Sequence, residues 1–486
     1  MSHHRPTRAR RGPALIACLL SLSLAGTGCG TRLTGTDRAA ARAGTTVTTD
    51  TLSSQDGGTT GGATTGTTGG TSGGTSGGST GGSGGTTTGT AATTSGGSSA
   101  GTGAASGTGT TGSGTSSGTT SGGGTKSTLL VGSVGTFSGP GGAAWAPGVD
   151  GLQLWVKDVN QRGGIDGHPV KLIVADDGND PARHLSIVKD MVENKHIFAL
   201  LYEVVSTTYS KALDDYLTQK GIPAIGGDGG SFIWEKNNLF FPIGTTQGAA
   251  FFSHMKAAKL AHPEMTKIGV LTCREADGCT QASTGWPEAG KKVGFTTVYN
   301  GQVSIAQPDF TAECLNARNA GAQILFVAVD PNSVRRLAQN CATQSYKPVY
   351  ALPSGVIASG QNGDPNLEGT IGINPAFPWM SSATPGEQAF QAAVKRYNPG
   401  LQLNITTPFG WTSGKMLEKA AAGRLGDQPA PAAVIAGLRT FKNETLDGIA
   451  PPLTFSTRGK SSTCWFTLAF KGGAWKDGNG GRASCP

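Results

Sequence analysis

From about residue 126 onward, short apolar runs alternate with stretches of helical spacing. Residues 128–134 (TLLVGSV) predict a buried strand, followed by a Gly/Ser/Pro loop over 136–142. Residues 149–159 then place Leu152, Leu154, Trp155 and Val159 on one side of a helix. A glycine turn at 163–167 leads to a strand over 170–175 that ends at Asp176-Asp177. Asp180-Pro181 opens a helix reaching Asn194, with the aspartate as cap and the proline in the first turn. Further strands are predicted over 197–201, 223–226, 267–272, 296–299, 322–329 and 349–352. Helices fall between them over 208–219, 247–260, 281–293, 308–320 and 334–340. This spacing defines βαβ units and parallel sheets, so the fold class is α/β. Such sheets bind ligands at the carboxyl ends of their strands, and two of them predict a cleft between lobes.

Composition changes the picture only before residue 126. Arg5, Arg8, Arg10 and Arg11 form a basic start, and residues 14–24 (ALIACLLSLSL) an apolar run too short to span a bilayer. Small residues then lead to Cys29, and this 1–29 segment resembles a lipoprotein signal in which Cys29 is lipidated. Gly26 stands where the lipobox has an aliphatic residue, so an ordinary cleaved signal with an incidental Cys29 is the competing reading. Residues 30–125 are a Thr/Gly/Ser-rich linker that holds 31 of the 78 glycines. With almost no apolar side chains it cannot offset its backbone entropy, and it reads as a disordered tether. As a Gly-rich coil it would span on the order of 50 Å.

Net charge is +8, part of it in the four arginines before Cys29, and no dense basic patch is interleaved with aromatics. Nucleic acid is therefore not an expected partner. With Cys18 and Cys29 set aside, Cys273, Cys279, Cys314, Cys341, Cys464 and Cys485 remain, an even number that reads as disulfides in an exported domain. Sequence leaves the pairing open; the economical one joins neighbours in order. No CxxC pair or nearby histidine favours zinc.

The ordered motifs carry a resemblance. They are Val131-Gly132, Phe137-Ser138-Gly139-Pro140, Asp158-Val159-Asn160, Gly163-Gly164-Ile165-Asp166-Gly167, Asp176-Asp177, Lys267-Ile268-Gly269-Val270-Leu271 and Asp309-Phe310-Thr311. Together they resemble the type I solute-binding proteins of ABC importers, in the branched-chain amino acid (leucine/isoleucine/valine) receptor family. The resemblance covers 126–486 and implies two Rossmann-like lobes joined by a three-segment hinge. It implies a first lobe over about 126–247 and 372–450, and a second over about 248–371 and 451–486. Residues 446–475 would supply the closing strands. It implies no cofactor and no catalysis, and no nucleophile elbow, P-loop or metal triad is present in the sequence.

In that family two first-lobe loops hold an amino acid's carboxylate through a hydroxyl and backbone N–H groups. Ser206 falls on the ligand hydroxyl, with Thr207 and Thr208 at the following helix start; the alternative is a helix cap with no ligand role. In the second loop Gly230 replaces a common threonine and Asp228 a small residue, leaving Ser231 to supply a hydroxyl. Asp228 either places an anion in the pocket or closes an Asx turn. Trp145, read as a loop residue, would stack on the ligand. In the second lobe Asp330 is either a ligand contact or a helix cap. The acidic partner for an ammonium group is missing, since Ser354 stands there. Residues 274–278, bracketed by Cys273 and Cys279, read as a rigid cleft loop. The expected function is therefore an exported lipoprotein on the outer face of the membrane. It would capture an amino acid or related amide or carboxylate for an ABC permease; a sensor of the same fold is the alternative.

Overall fold

The computed structural model describes residues 126–456 and 462–485. Cys29, the signal 1–29 and the linker 30–125 lie outside the described residues. Strand β1 (Leu129–Gly135), helix α1 (Gly139–Gln161), β2 (Val170–Asp176), α2 (Pro181–Glu193), β3 (Ala199–Glu203), α3 (Lys211–Lys220), β4 (Ala224–Gly227), α4 (Ile233–Lys236) and β5 (Phe240–Phe241) come first. They form an all-parallel sheet of order β2-β1-β3-β4-β5. Next come α5 (Gln247–Ala261), β6 (Lys267–Cys273), α6 (Asp277–Lys292), β7 (Thr296–Val303), α7 (Thr311–Asn319), β8 (Ile324–Ala328), α8 (Pro331–Thr343), β9 (Val349–Pro353) and β10 (Ile371–Asn374). The chain then adds α9 (Pro385–Tyr397), α10 (Thr407–Ala421) and α11 (Pro431–Arg439), and ends in β11 (Phe466–Lys471) and β12 (Ala474–Asp477).

The second sheet runs β12-β11-β10-β9-β8-β6-β7, with β11 alone antiparallel to its neighbours β10 and β12. Its parallel part repeats the order of the first sheet, so both lobes reverse strand order beside their own first strand. Ligands gather at such switch points because the loops there diverge and leave a crevice.

Each sheet is covered on both faces by apolar side chains. Leu152, Trp155, Phe409 and Leu417 pack on one face of the first sheet, and Val188, Leu213 and Trp234 on the other. Phe310, Leu337 and Phe470 cover one face of the second, with Met255, Trp286 and Phe326 opposite. The chain passes between the sheets after Phe241, after Asn374 and between Phe455 and Phe466. These crossings lie side by side: a β-carbon on Gly244 would meet the Pro375 carbonyl at 2.4 Å and Pro451 at 3.1 Å. The Thr245 hydroxyl donates to the Cys464 carbonyl.

Four expectations need correction. The loop over 136–142 is half helix, since α1 begins at Gly139 with proline in its first turn, where a missing N–H costs nothing. Helix α3 begins at Lys211 rather than 208, because Ser210 caps it through the Leu213 amide while Thr208 turns inward to His184. Ile371–Asn374 pairs with β9 and so belongs to the second sheet, while Leu453 and Phe455 pack in the first lobe. Both lobe crossings therefore come later than 372 and 450. Among the described residues of 446–475, only β11 is a strand in full and β12 starts inside it; Leu446–Gly448 is a 3-10 turn. The disulfides join neighbours in order: Cys273–Cys279, Cys314–Cys341 and Cys464–Cys485.

Candidate ligand-binding site

Between the lobes lies a cavity of about 470 Å³, within the range of small-molecule pockets. Its wall is built from the segments that leave the carboxyl ends of β1, β3 and β4 in one lobe and β6, β8, β9 and β10 in the other. The lobes meet at two places along its rim. A β-carbon on Gly355 would stand 3.3 Å from the Trp145 indole, and one on Gly278 would stand 3.6 Å from the Gly230 carbonyl.

The first-lobe wall is a network of committed hydrogens. Asp228 is buried, and its carboxylate accepts from the amides of Val205 (3.0 Å), Ser206 (2.6 Å) and Gly230 (3.2 Å) and from the Trp234 indole (3.0 Å). Burial pushes the Asp228 carboxyl up, against the hydrogen bonds from Ser206, Gly230 and Trp234. Thr136 donates to Asp177 at 2.7 Å, and Thr207 lies 3.4 Å from Thr136. Asp177 and Glu203 enclose the buried His184 ring at 2.9 and 2.8 Å. Burial alone would lower this imidazole's pKa; the hydrogen bonds to Asp177 and Glu203 outweigh it and hold the pKa up at about 9. Ser138 donates to Asp176, which these and nearby amide bonds keep below the usual carboxylate range despite partial burial.

Trp145 is fixed through its backbone. Its carbonyl accepts from the Tyr202 phenol at 2.8 Å, and the neighbouring Ala144 carbonyl accepts from Thr406 at 2.8 Å. Tyr202 has φ +52°, a left-handed conformation unusual for an aromatic residue, and it sits where β3 turns into the ligand loop.

Of the residues singled out in the sequence, Trp145, Ser206, Thr207, Asp228, Gly230, Asp330 and Ser354 all line the cavity, as does the Cys273–Cys279 loop. Three differ from expectation, and for Asp330 the structure decides between the two readings. Ser231 lies behind the wall, where its hydroxyl accepts from the Ile233 amide at 3.4 Å, so it supplies no ligand hydroxyl. Asp330 caps α8, accepting from the Asn332 and Ser333 amides, although its residue still borders the cavity. Trp145 stands on a helix, not a loop, and Thr207 lies in a turn before α3 instead of at its start.

The sequence reading missed an inner wall in the second lobe: Phe251 and His254 on α5, Ala282 and Trp286 on α6, Ile373 on β10, and Trp465. Most of these side chains are core, and only assembly shows that they also border a space. His254 accepts a hydrogen bond from the Trp286 indole at its Nδ1, at 3.0 Å. Burial pushes its pKa down to about 3, so the ring is neutral. Among the described residues no group of three or more His, Cys, Asp or Glu is placed to hold a metal ion.

Two α/β lobes of matching topology, facing each other across a cavity at their strand ends, define a binding protein of the two-lobed type. Residues 128–476 match the family described as periplasmic binding protein, and the chain belongs to that family. The Leu/Ile/Val-binding protein of Escherichia coli (strain K12) is 21% identical over 346 residues, 68% of this chain and 87% of that protein. Leu/Ile/Val-binding protein homolog 1 of Brucella suis biovar 1 is 23% identical over 256 residues, 50% of this chain; the match spans 66% of that protein's length. Among solved structures, a branched-chain amino acid ABC transporter protein from Thermus thermophilus with bound valine aligns with TM-score 0.64 at 15% identity. That alignment covers 75% of this chain and 97% of the other. A fatty acid ABC transporter substrate-binding protein from Thermomonospora curvata aligns with TM-score 0.62 at 16% identity, covering 74% and 93%.

Proposed function

We propose that this protein captures a small molecule between its lobes outside the cytoplasmic membrane and presents it to the membrane subunits of an ABC importer. The observation that supports it best is the cavity, walled by the strand ends of both lobes and bordered by lobe-to-lobe contacts at Trp145–Gly355 and Gly230–Gly278. A ligand touching both walls favours the closed arrangement by its differential affinity for it, and that closed face is what a permease would read. Trp145, Ser206, Thr207, Gly230 and Ser354 are the ligand contacts in this reading, and Asp228 shapes the first-lobe loops. In this reading the chain is exported and held by a lipid on Cys29, with residues 30–125 as the tether. Membership in a family of binding proteins, together with the relatives' names, supports the transport role.

The test is a thermal-shift screen of the mature chain against amino acids, amides, alcohols and aromatic acids. A ligand at a hundred times its Kd should add about 2.7 kcal/mol of stability. For the best ligand, Ser206→Ala and Trp145→Ala should each weaken binding about tenfold while leaving the melting temperature of the free protein within a degree or two. If no solute in any class shifts the transition, solute capture is the wrong reading. Metabolic lipid labelling that is lost in Cys29→Ala checks the anchor separately.

A further inference from the structure

The charge inventory of the cavity is unusual for a site that would hold a zwitterion. No lysine or arginine lines it among the described residues. Three carboxylates do, and each is already engaged: Asp228 by three amides and an indole, Asp330 by two α8 amides, and Glu275 by the amides of Arg274 and Ile305. The four acceptor sites of Asp228 are thus filled, and an ammonium group at Asp330 or Glu275 would share a carboxylate that already serves backbone amides. A ligand carboxylate would meet Asp228 with no cation nearby, and the amides of Val205 and Ser206 are spent on that same side chain. A buried charge without a partner costs several kcal/mol, more than the rest of a small ligand readily offsets.

The inner wall has the opposite character. Phe251, Ala282, Trp286, Ile373 and Trp465 are buried side chains of the second lobe's core that also border the cavity. Set among them is one directional polar group. Because the Trp286 indole N–H donates to His254 Nδ1, that nitrogen carries a lone pair, and in the neutral ring the proton sits on Nε2. Nε2 has no hydrogen-bond partner among the described residues, and the half-buried ring borders the cavity. A neutral N–H donor in an apolar wall matches a neutral acceptor such as a carbonyl oxygen. On the first-lobe side, Thr136 and Ser138 have already given their hydrogens to aspartates, so they offer lone pairs to a ligand N–H or O–H.

We propose that the inner wall is a subsite for an uncharged, largely apolar molecule whose carbonyl accepts from His254 Nε2–H, so that the protein takes a neutral amide or related carbonyl compound in preference to an α-amino acid or a carboxylate. This rests on the solute-capture reading above and names the ligand class for that same cavity. Matched probes separate the classes by calorimetric titration of the mature chain: phenylacetamide is neutral, phenylacetate anionic and L-phenylalanine zwitterionic.

Phenylacetamide should bind at least tenfold tighter than either of the others. His254→Leu should weaken it about tenfold. His254→Gln should restore most of the loss, because its carbonyl still accepts from Trp286 and its amide still donates. Should His254→Leu fail to fold, the probe ranking and the Gln variant carry the test alone. Tighter binding of phenylacetate or phenylalanine overturns the ligand class and leaves solute capture standing. Unchanged phenylacetamide affinity in a folded His254→Leu overturns the role of His254. Absence of heat with all three at millimolar concentration also overturns this inference; only silence across the whole thermal-shift screen removes solute capture as well.

Discussion

At His184 two effects pull in opposite directions, and the geometry decides between them. Desolvation favours the neutral ring, but carboxylates on both nitrogens, Asp177 and Glu203, favour the imidazolium. With a folded pKa raised to about 9 against about 6.5 unfolded, the stabilisation is fully present below about pH 6.5 and is lost as pH rises through about 9. Its size by linkage is on the order of 3 kcal/mol. Denaturant melts between pH 6 and pH 10 should show that decline, and His184→Gln should flatten it. Since Thr136 and Thr208 hang on the same cluster, alkaline loosening should reach the ligand loops first. Sequence made Ser206, Thr207 and Asp228 visible as loop residues, but not this ion cluster. Its members, at positions 177, 184 and 203, come from a loop, a helix and a strand and have no local pattern.

Helix α1 extends ten residues before and two beyond its apolar spacing at 149–159, and the reason lies in its partner. A β-carbon at Gly148 would collide with the Tyr202 ring at 2.0 Å, and one at Gly151 with the Thr407 carbonyl at 1.9 Å. On the facing helix α10, Gly410 has the Gly148 carbonyl at 1.8 Å from where its β-carbon would be. The two helices thus cross nearly backbone to backbone, and these glycines are contact residues within the helices. Gly151→Ala should destabilise the protein by about 1–3 kcal/mol, since backbone must move to admit the methyl group. Chemical denaturation reads this directly. Substitution at Gly163, which has open space and a positive φ of 97°, should act through backbone strain alone and cost less.

For the molecule as a whole, the two rim contacts make lobe closure testable. Gly355→Leu places a branched side chain against the Trp145 indole across the cleft and should hold the lobes apart. Ligand affinity should fall about tenfold, or about 1.4 kcal/mol, with a larger radius of gyration in solution scattering when ligand is saturating. Trp145→Ala in the same chain should relieve the clash and restore the compact form, although direct Trp145 contacts to the ligand are then missing. The alternation of strand and helix, the α/β class and the residues at the strand ends were legible in order along the chain, because backbone periodicity and capping act over a few residues. The sequence by itself therefore determined the elements and most of the first-lobe wall. Only the tertiary structure decided that β10 joins the second sheet, that Asp228 consumes the amides beside it, and that His254 and Trp286 border a cavity. Each of these depends on which groups, distant in sequence, come within hydrogen-bond or van der Waals reach, and no local pattern of residues encodes that.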